Sequence, residues 1–337
     1  MHPSAPFERT DDAAGSAWEL AKLVVLGCTL APLRLLLWLA TVAPMYGLCR
    51  GIHRAGLPLT WVRPLGRLMA RLTLAILGFW PFVGVRRIGG GTDWAEGAVL
   101  VVANHVSWLD IVFFMAEGYQ PSFVAKSGWI QAPLVGWFAA TMFDCVVVHP
   151  SNPAAGSGGG GGATTSKGVA TTAAITERLR WLRLEGSSDK PLLTFAEGTT
   201  SNGQYLLKFR TGAFRAALDS APPSGGKVHC VVLRYPWRHF SPAWESIFPH
   251  HHLLRLLTQF SNTLQVQYLP PFEFASSSTP EALADDVRQY MAAGARPPLP
   301  TCESGYPEKQ EYHKWLGSRL AQLGWLDRLT RVRPPQR

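Results

Sequence analysis

The sequence predicts an α/β layered fold set behind an apolar N-terminal segment. After Arg87, short runs rich in Val, Leu and Ile alternate with longer segments of helical pattern, the order that builds a sheet covered by helices. The short runs lack polar alternation, as expected of strands buried on both faces. Before Arg87 the pattern differs, for Leu23 to Cys49 carries a single charge, Arg34.

In chain order, residues 1–22 read as an N-terminal tail. Its acids Glu8, Asp11, Asp12 and Glu19 outnumber Arg9 and Lys22, and the apolar run begins only at Leu23, which argues against a cleaved secretory leader. Residues 23–88 read as membrane anchor and interfacial helices. About 20 apolar residues suffice to cross a hydrocarbon core, but Pro32 and Pro44 interrupt this run. A kinked span and a hairpin dipping into one leaflet both fit. Arg50, Arg54, Arg63, Arg67 and Arg71 follow with no acid among them, which places the downstream domain in the cytosol by the positive-inside rule. Leu72 to Gly84 is too short to span and is expected to be an interfacial or buried helix. Core helices of a soluble protein are the competing reading, since a helix apolar all round must be buried all round, in protein or in lipid.

Residues 89–300 hold the α/β pattern. Strands are expected at 98–103, 122–125, 145–148, 191–195, 228–233 and 264–269. Helices are expected at 108–117, 169–185 and 280–293, the last with Thr279 as N-cap and Pro280 in its first turn. The stretch 151–168 is dominated by Gly, Ser, Thr and Ala, with Gly158 to Gly162 unbroken, and is expected to be a flexible surface loop. Its G-x-G-x-x-G match is discounted because no strand leads into a helix there. Residues 301–337 read as a basic amphipathic helix, for which capping the core and touching a membrane fit equally.

Composition narrows the function. Of 337 residues, 47% are hydrophobic and 16% charged, against roughly 25% charged in soluble domains. Disorder is excluded, and some apolar surface is expected to face something other than water. With 32 Lys and Arg against 23 Asp and Glu, the net charge of +9 invites an anionic partner: nucleic acid, a membrane surface or a phosphorylated small molecule. The five cysteines are scattered without a C-x-x-C pair, which fits a reducing compartment and offers neither a zinc nor a redox site.

The chemistry concentrates at strand ends. The strand ending at Ala103 runs into Asn104-His-Val-Ser-Trp-Leu-Asp110. In one continuous helix, positions five apart lie about 140° apart around the axis. With His105 in a strand-to-helix turn and Asp110 in the first turns of the helix, the carboxylate can reach back, hold one imidazole tautomer and leave the other nitrogen as a general base. A purely structural pairing is the alternative. The strand 191–195 then delivers Ala196-Glu-Gly-Thr-Thr-Ser-Asn-Gly203, an acid, glycines and hydroxyls of the kind α/β folds use for ligands. Lys126, Lys208 and Arg210 can meet an anion or can be solvated loop charges.

Four segments, Asn104-His-x-x-x-x-Asp110, Val124 to Trp137, Phe195-Ala-Glu-Gly-Thr199 and Val231-Val-Leu-Arg-Tyr-Pro236, resemble in order the four motifs of the glycerolipid acyltransferase superfamily. Glu197 to Gly203 and Arg234 to Ser246 resemble its lysophosphatidylcholine and lysophosphatidylethanolamine acyltransferase branch. The similarity extends from about Trp61 to Lys309-Gln-Glu-Tyr-His313. The resemblance implies an α/β acyltransferase-like layered sheet with flanking helices in residues 89–300, preceded by N-terminal membrane helices. It implies acyl-CoA as co-substrate, a lysophospholipid acceptor, no cofactor and no metal, at a membrane such as the endoplasmic reticulum. By the same resemblance His105 and Asp110 are catalytic. Glu197, Gly198 and Thr199 place the glycerophosphate region of the lysolipid, Lys126 meets an anionic group, and the basic loop residues Lys208 and Arg210 suit phosphate.

Two positions depart from the pattern. Ala196 replaces a common proline, and Thr200 stands where lysophosphatidic acid acyltransferases usually carry arginine. An arginine suits a phosphate monoester bidentately, so Thr200 favours a phosphodiester headgroup, with a lysophosphatidic acid acyltransferase as the runner-up. A non-catalytic basic membrane scaffold explains the apolar runs and the charge but not His105 and Asp110 with the Glu197 loop. No G-x-S-x-G elbow or D-x-D-x-D-G calcium loop occurs. His250 to His252 diverge on a helix and are expected to start one near the membrane surface rather than hold a metal. Nucleic acid is not an expected partner, because no recognition motif accompanies the charge.

Overall fold

The computed structural model describes residues 2–11, 17–80, 84–90, 94, 96–126, 137, 143, 145–148, 166–184, 190–238 and 240–321. Helices α1 (Ala17–Cys28), α2 (Leu30–Arg54) and α3 (Leu59–Ile76) come first. Then follow β1 (Val85–Ile88), β2 (Leu100–Ala103), α4 (Leu109–Ala116), β3 (Ser122–Lys126), β4 (Val146–Val148), α5 (Ser166–Leu184) and β5 (Leu192–Phe195). The chain continues through α6 (Gly212–Ser220), β6 (Gly226–Arg234), α7 (Pro249–Leu257), β7 (Leu264–Tyr268), β8 (Phe272–Phe274), α8 (Pro280–Gly294) and α9 (Tyr306–Ala321).

The strands form one mixed sheet of order β1-β7-β6-β2-β5-β3-β4, with β8 paired to β6. β2 runs parallel to both β5 and β6, while β6 is antiparallel to β7 and β8. Successive residues of β2 point to opposite faces. Val101 and Ala103 join Leu109, Phe113 and Phe114 of α4 and Met69 and Leu74 of α3 in one core. Leu100 and Val102 join Leu179 of α5, Phe214 of α6 and Val287 and Met291 of α8 in the other. All four β2 residues are buried, so this strand reads as uninterrupted apolar sequence because both faces are covered.

β1 and β8 were not visible as apolar runs. β1 is Val-Arg-Arg-Ile at the sheet edge, and β8 is Phe-Glu-Phe paired beyond the main strand order, so polar side chains are tolerated in both. α6 was also missed, for it is short and opens on Gly212 after Thr211, which makes no side-chain cap. In α8 the expected N-cap forms, with the Thr279 side chain accepting from Ala282 N at 3.2 Å. Most of the glycine-rich stretch 151–168 lies outside the described residues, and its last residues already belong to α5.

The apolar run is one helical stretch, Ala21–Arg54, long and apolar enough to cross a membrane. It breaks at Thr29, just ahead of Pro32, whose ring cannot follow a regular preceding turn, whereas Pro44 lies inside α2. Leu33, Leu36 and Leu48 are more than half exposed. Arg34, the lone charge, is buried against protein. Its guanidinium donates to the carbonyls of Leu257 (2.9 Å), Gln259 (2.5 Å) and Phe260 (3.2 Å), which lie at the C-terminal end of α7 and just beyond it, where orphan carbonyls and the helix dipole both favour a cation. α3 is amphipathic, and its Arg67 and Arg71 donate to the carbonyls of Gly118 and Ala116 behind α4. Leu74, Ile76, Leu77 and Phe79 are buried, so the described part of the Leu72–Gly84 stretch ends in the core.

Residues 2–11 are docked rather than loose. Arg9 is buried, paired with Asp11 (2.6 Å) and Glu245 (2.9 Å), and Arg255 of α7 approaches Asp11 at 3.4 Å. Phe7 packs with Leu207, Tyr312 and Leu316 in a third apolar cluster. Asp11 of the acidic N-terminal stretch thus lies on the α/β body, on which Arg67 and Arg71 of α3 also dock.

Candidate active site

The sheet brings the two motif-bearing turns together. β2 and β5 pair in parallel with Ala103 opposite Phe195, so Asn104-His105 and Ala196-Glu197 leave the same edge side by side. Asn104 extends the β2–β6 pairing with its side chain. Its Oδ1 accepts from Leu233 N at 2.7 Å and its Nδ2 donates to Leu233 O at 2.9 Å. The chain is thereby fixed where it leaves the sheet.

His105 Nδ1 lies 2.9 Å from Asp110 Oδ2. The same oxygen accepts from Val106 N (2.7 Å) and Ser107 N (2.9 Å), so the carboxylate folds the turn that carries the histidine. Asp110 Oδ1 accepts from Tyr235 Oη at 2.6 Å. Asp110 sits in the first turn of α4, where an acid is favoured by the helix dipole. With Nδ1–H donated to Asp110, the lone pair resides on Nε2. The Asp110 side chain is fully buried while 16% of the His105 side chain is exposed, which leaves the imidazole open to a substrate and its partner sealed. Phe195 stacks under the imidazole at 4.0 Å between centroids and 13° between planes, fixing the ring.

Glu197 clamps the second turn. Its Oε2 accepts from His105 N at 2.6 Å and its Oε1 from Leu207 N at 2.8 Å. Burial pushes this carboxyl up to about 8, opposed by the two backbone donors and by Lys309. Both oxygens accept from backbone donors, so the carboxylate is committed to holding the two turns together. Gly198 follows at φ +67°, a left-handed conformation, and a side chain there meets the Arg210 guanidinium arm. Ser201 N donates to His105 O at 3.0 Å, closing the loop back onto the histidine. Thr199 is buried beside it.

The basic residues separate. Arg210 lies against Gly198, its guanidinium 5.9 Å from the Tyr306 ring centre, and so stays at the loop. Lys208 turns outward to Glu303 at 3.3 Å in an exposed ion pair. Lys126 ends β3 at the same sheet edge, paired with Val148, but its side chain and residues 127–136 lie outside the described residues. Thr200 donates its hydroxyl to Trp244 O at 2.6 Å. His252 is engaged by hydrogen bonds at both ring nitrogens. Its Nδ1 accepts from Trp108 Nε1 (3.2 Å), its Nε2 faces Pro242 O (3.0 Å), and burial lowers it to about 4, so it stays neutral and braces Trp108 beside the His105 turn. Among the described residues no cluster of three or more His, Cys, Asp or Glu is arranged for a metal.

Sequence reasoning missed Asn104, Tyr235, Phe195 and His252 as positioning groups. Tyr235 stands in the Arg-Tyr-Pro run and Phe195 directly before Ala196-Glu197, but only the strand order shows that they face Asp110 and His105.

Comparison with known proteins shows the family of the chain. The acyltransferase family model matches residues 86–234. The lysophospholipid acyltransferase LPEAT1 of Arabidopsis thaliana is 31% identical, over 94% of this chain and 87% of that protein. The lysophosphatidylcholine acyltransferase of Drosophila melanogaster is 29% identical over 81% of this chain, which spans about half (49%) of that longer protein. A lyso-ornithine lipid O-acyltransferase of Brucella abortus is 30% identical over 69% of this chain and 82% of its own length. The crystal structure of the 1-acyl-sn-glycerophosphate acyltransferase of Thermotoga maritima superposes with a TM-score of 0.50 at 17% identity, covering 81% of this chain and 95% of that one. That likeness establishes the fold. On the sequence relationship, the ordered motifs and the His105–Asp110 turn, the chain belongs to the glycerolipid (lysophospholipid) acyltransferase superfamily.

Proposed function

We propose that this protein transfers the acyl group of acyl-CoA to the free hydroxyl of a lysophospholipid, with lysophosphatidylcholine or lysophosphatidylethanolamine as acceptor. The observation that carries the reading is the 2.9 Å contact between His105 Nδ1 and a fully buried Asp110, which orients Nε2 as a base. Nε2 takes the proton of the glycerol hydroxyl as its oxygen attacks the thioester carbonyl, forming the new C–O bond. The tetrahedral intermediate collapses with cleavage of the C–S bond, and the imidazolium returns its proton to the sulfur, so CoA leaves as thiol and His105 is regenerated. Asp110 holds the ring and stabilises the transient imidazolium, as the acid of a Ser-His-Asp triad does. Backbone amides are the expected donors to the oxyanion. Glu197, Gly198 and Thr199 shape the loop that receives the glycerophosphate, with Arg210 beside it and Lys126 at the neighbouring strand end.

The headgroup preference rests on Thr200, whose hydroxyl is committed to Trp244 O and which brings no guanidinium to the loop. Acylation of a panel of lysolipids with radiolabelled acyl-CoA tests it. Higher kcat/KM for lysophosphatidylcholine or lysophosphatidylethanolamine than for lysophosphatidic acid is expected; the reverse order overturns the headgroup reading.

The protein is membrane-associated, and we read its anchor as a hairpin entering one leaflet. Residues 2–11 before it and α3 after it both dock on the α/β body, which suits a segment that leaves and re-enters on one side of the membrane. The exposed leucines of α2 then face lipid, with the catalytic unit on the cytosolic surface of the endoplasmic reticulum. An aspartate at a bilayer centre costs about 2.5–3.5 kcal/mol on insertion scales. Leu33→Asp with Leu36→Asp is therefore expected to lower the vesicle-bound fraction at least about 10-fold in sedimentation. Unchanged binding places the lipid contact elsewhere.

A further inference from the structure

The loop that cradles His105 is gripped from outside the four motifs, by the C-terminal helix. Lys309, in the first turn of α9, is buried, with only 7% of its surface exposed. Its Nζ donates to the Thr200 carbonyl at 2.7 Å and to Thr200 Oγ1 at 2.7 Å. An ammonium is costly to bury and is retained where acceptors hold it. Lys309 shares its helix face with Tyr312 and Leu316, which pack on Phe7 and Leu207, so helix packing directs its side chain inward. Gly305 N bonds Glu308 Oε2 at 2.7 Å and Lys309 N bonds Gly305 O at 3.2 Å, which fixes the start of the helix.

What Lys309 holds is the middle of a span tied to His105 at both ends. Glu197 accepts from His105 N, Ser201 N donates to His105 O, and Thr200 lies between them. Residues 2–11 close the far side. Asn202 Nδ2 donates to Ala5 O (2.8 Å) and Glu8 O (3.0 Å), and Asn202 N donates to Pro6 O (2.8 Å). His313, one turn after Lys309, faces Glu245 O at 3.2 Å, and Glu245 in turn pairs with Arg9. Residues 2–11 and α9 thus converge on one loop.

We propose that Lys309 is a positioning residue for the acceptor substrate: through Thr200 it fixes the Glu197–Ser201 loop against His105 and thereby sets lysolipid binding, without touching the reacting atoms. The proposal rests on the acyltransfer reading above. On this proposal acyl-CoA binding does not depend on the contact, so the two substrates separate the role from general destabilisation.

The test is steady-state kinetics of the full-length enzyme in detergent–lysolipid mixed micelles, with each substrate varied in turn. Wild-type acyl transfer is the first arm, and its absence refutes the reading rather than the role of Lys309. Given an active wild type, Lys309→Met is expected to lower kcat/KM for the lysolipid about 10-fold or more, mainly through KM, with KM for acyl-CoA within about twofold. Lys309→Arg, which keeps the charge and the donors, is expected to restore most of the loss. Lys309→Gln keeps one donor group and serves if the methionine variant does not accumulate, with the same selective loss at smaller size. Unchanged lysolipid kinetics, or a proportional loss for both substrates that tracks a fall in Tm, overturns the proposal.

Discussion

Replacing His105 with alanine is expected to abolish acyl transfer, lowering kcat by at least about 10³-fold, within the range assigned to a general base, while membrane association is kept. The reason is local. In the proposed mechanism Nε2 takes the acceptor proton, and no second imidazole faces Asp110 among the described residues. The fold should tolerate the change, because His105 is held to Glu197 and Ser201 by its backbone N–H and carbonyl, which alanine retains. The exposed leucines of α2 are untouched, so vesicle sedimentation should match wild type. Acyl transfer at wild-type rate by His105→Ala would sink the mechanism.

Asp110→Asn is the second large effect and the more informative one. Alanine at 110 leaves Val106 N, Ser107 N and Tyr235 Oη without their acceptor, each at a cost of about 1–3 kcal/mol, so a loss of activity there is also a loss of fold. Asparagine avoids this. Its Oδ1 can occupy the place of Oδ2 and accept from Val106, Ser107 and His105, while its Nδ2 donates to Tyr235 Oη. The turn survives, but the negative charge that would stabilise an imidazolium is gone. A kcat loss of about 10³-fold with a Tm close to wild type is expected. If Asp110→Asn retains most of its kcat, the pairing is structural and the carboxylate has no share in catalysis.

The contrast between these two residues and Tyr235 shows what the sequence carries. His105 and Asp110 are five positions apart across one strand-to-helix turn, so their meeting is a local event that spacing can announce. Tyr235 and Asn104 act between β2 and β6, strands whose adjacency depends on the crossover order of the whole sheet. The strands themselves follow the same division. β2, β5 and β6 are central, and their buried faces write apolar runs into the sequence, while β1 and β8 keep the polar residues that an edge permits.

The ends of the chain were the least legible. Residues 2–11 look like a charged tail because Glu8, Arg9 and Asp11 are adjacent, yet Arg9 is buried by partners more than two hundred positions away. Lys309 likewise reads as one more base in a basic helix, and only the packing of Tyr312 and Leu316 turns it toward Thr200. Arg34 stood out as the lone charge of the apolar run, but nothing near it in sequence indicated the carbonyls of α7 that it meets.

Whether His105 acts in acyl transfer from a thioester to a lysolipid hydroxyl is decided by the stoichiometry of the purified enzyme. Free thiol and radiolabelled acyl-lipid are measured in the same reaction, with and without lysophosphatidylcholine. One thiol released per acylated lipid is expected, both dependent on the acceptor and both lost in His105→Ala. Thiol release that proceeds without lysolipid, or no acyl-lipid formed from any lysolipid offered, would contradict it.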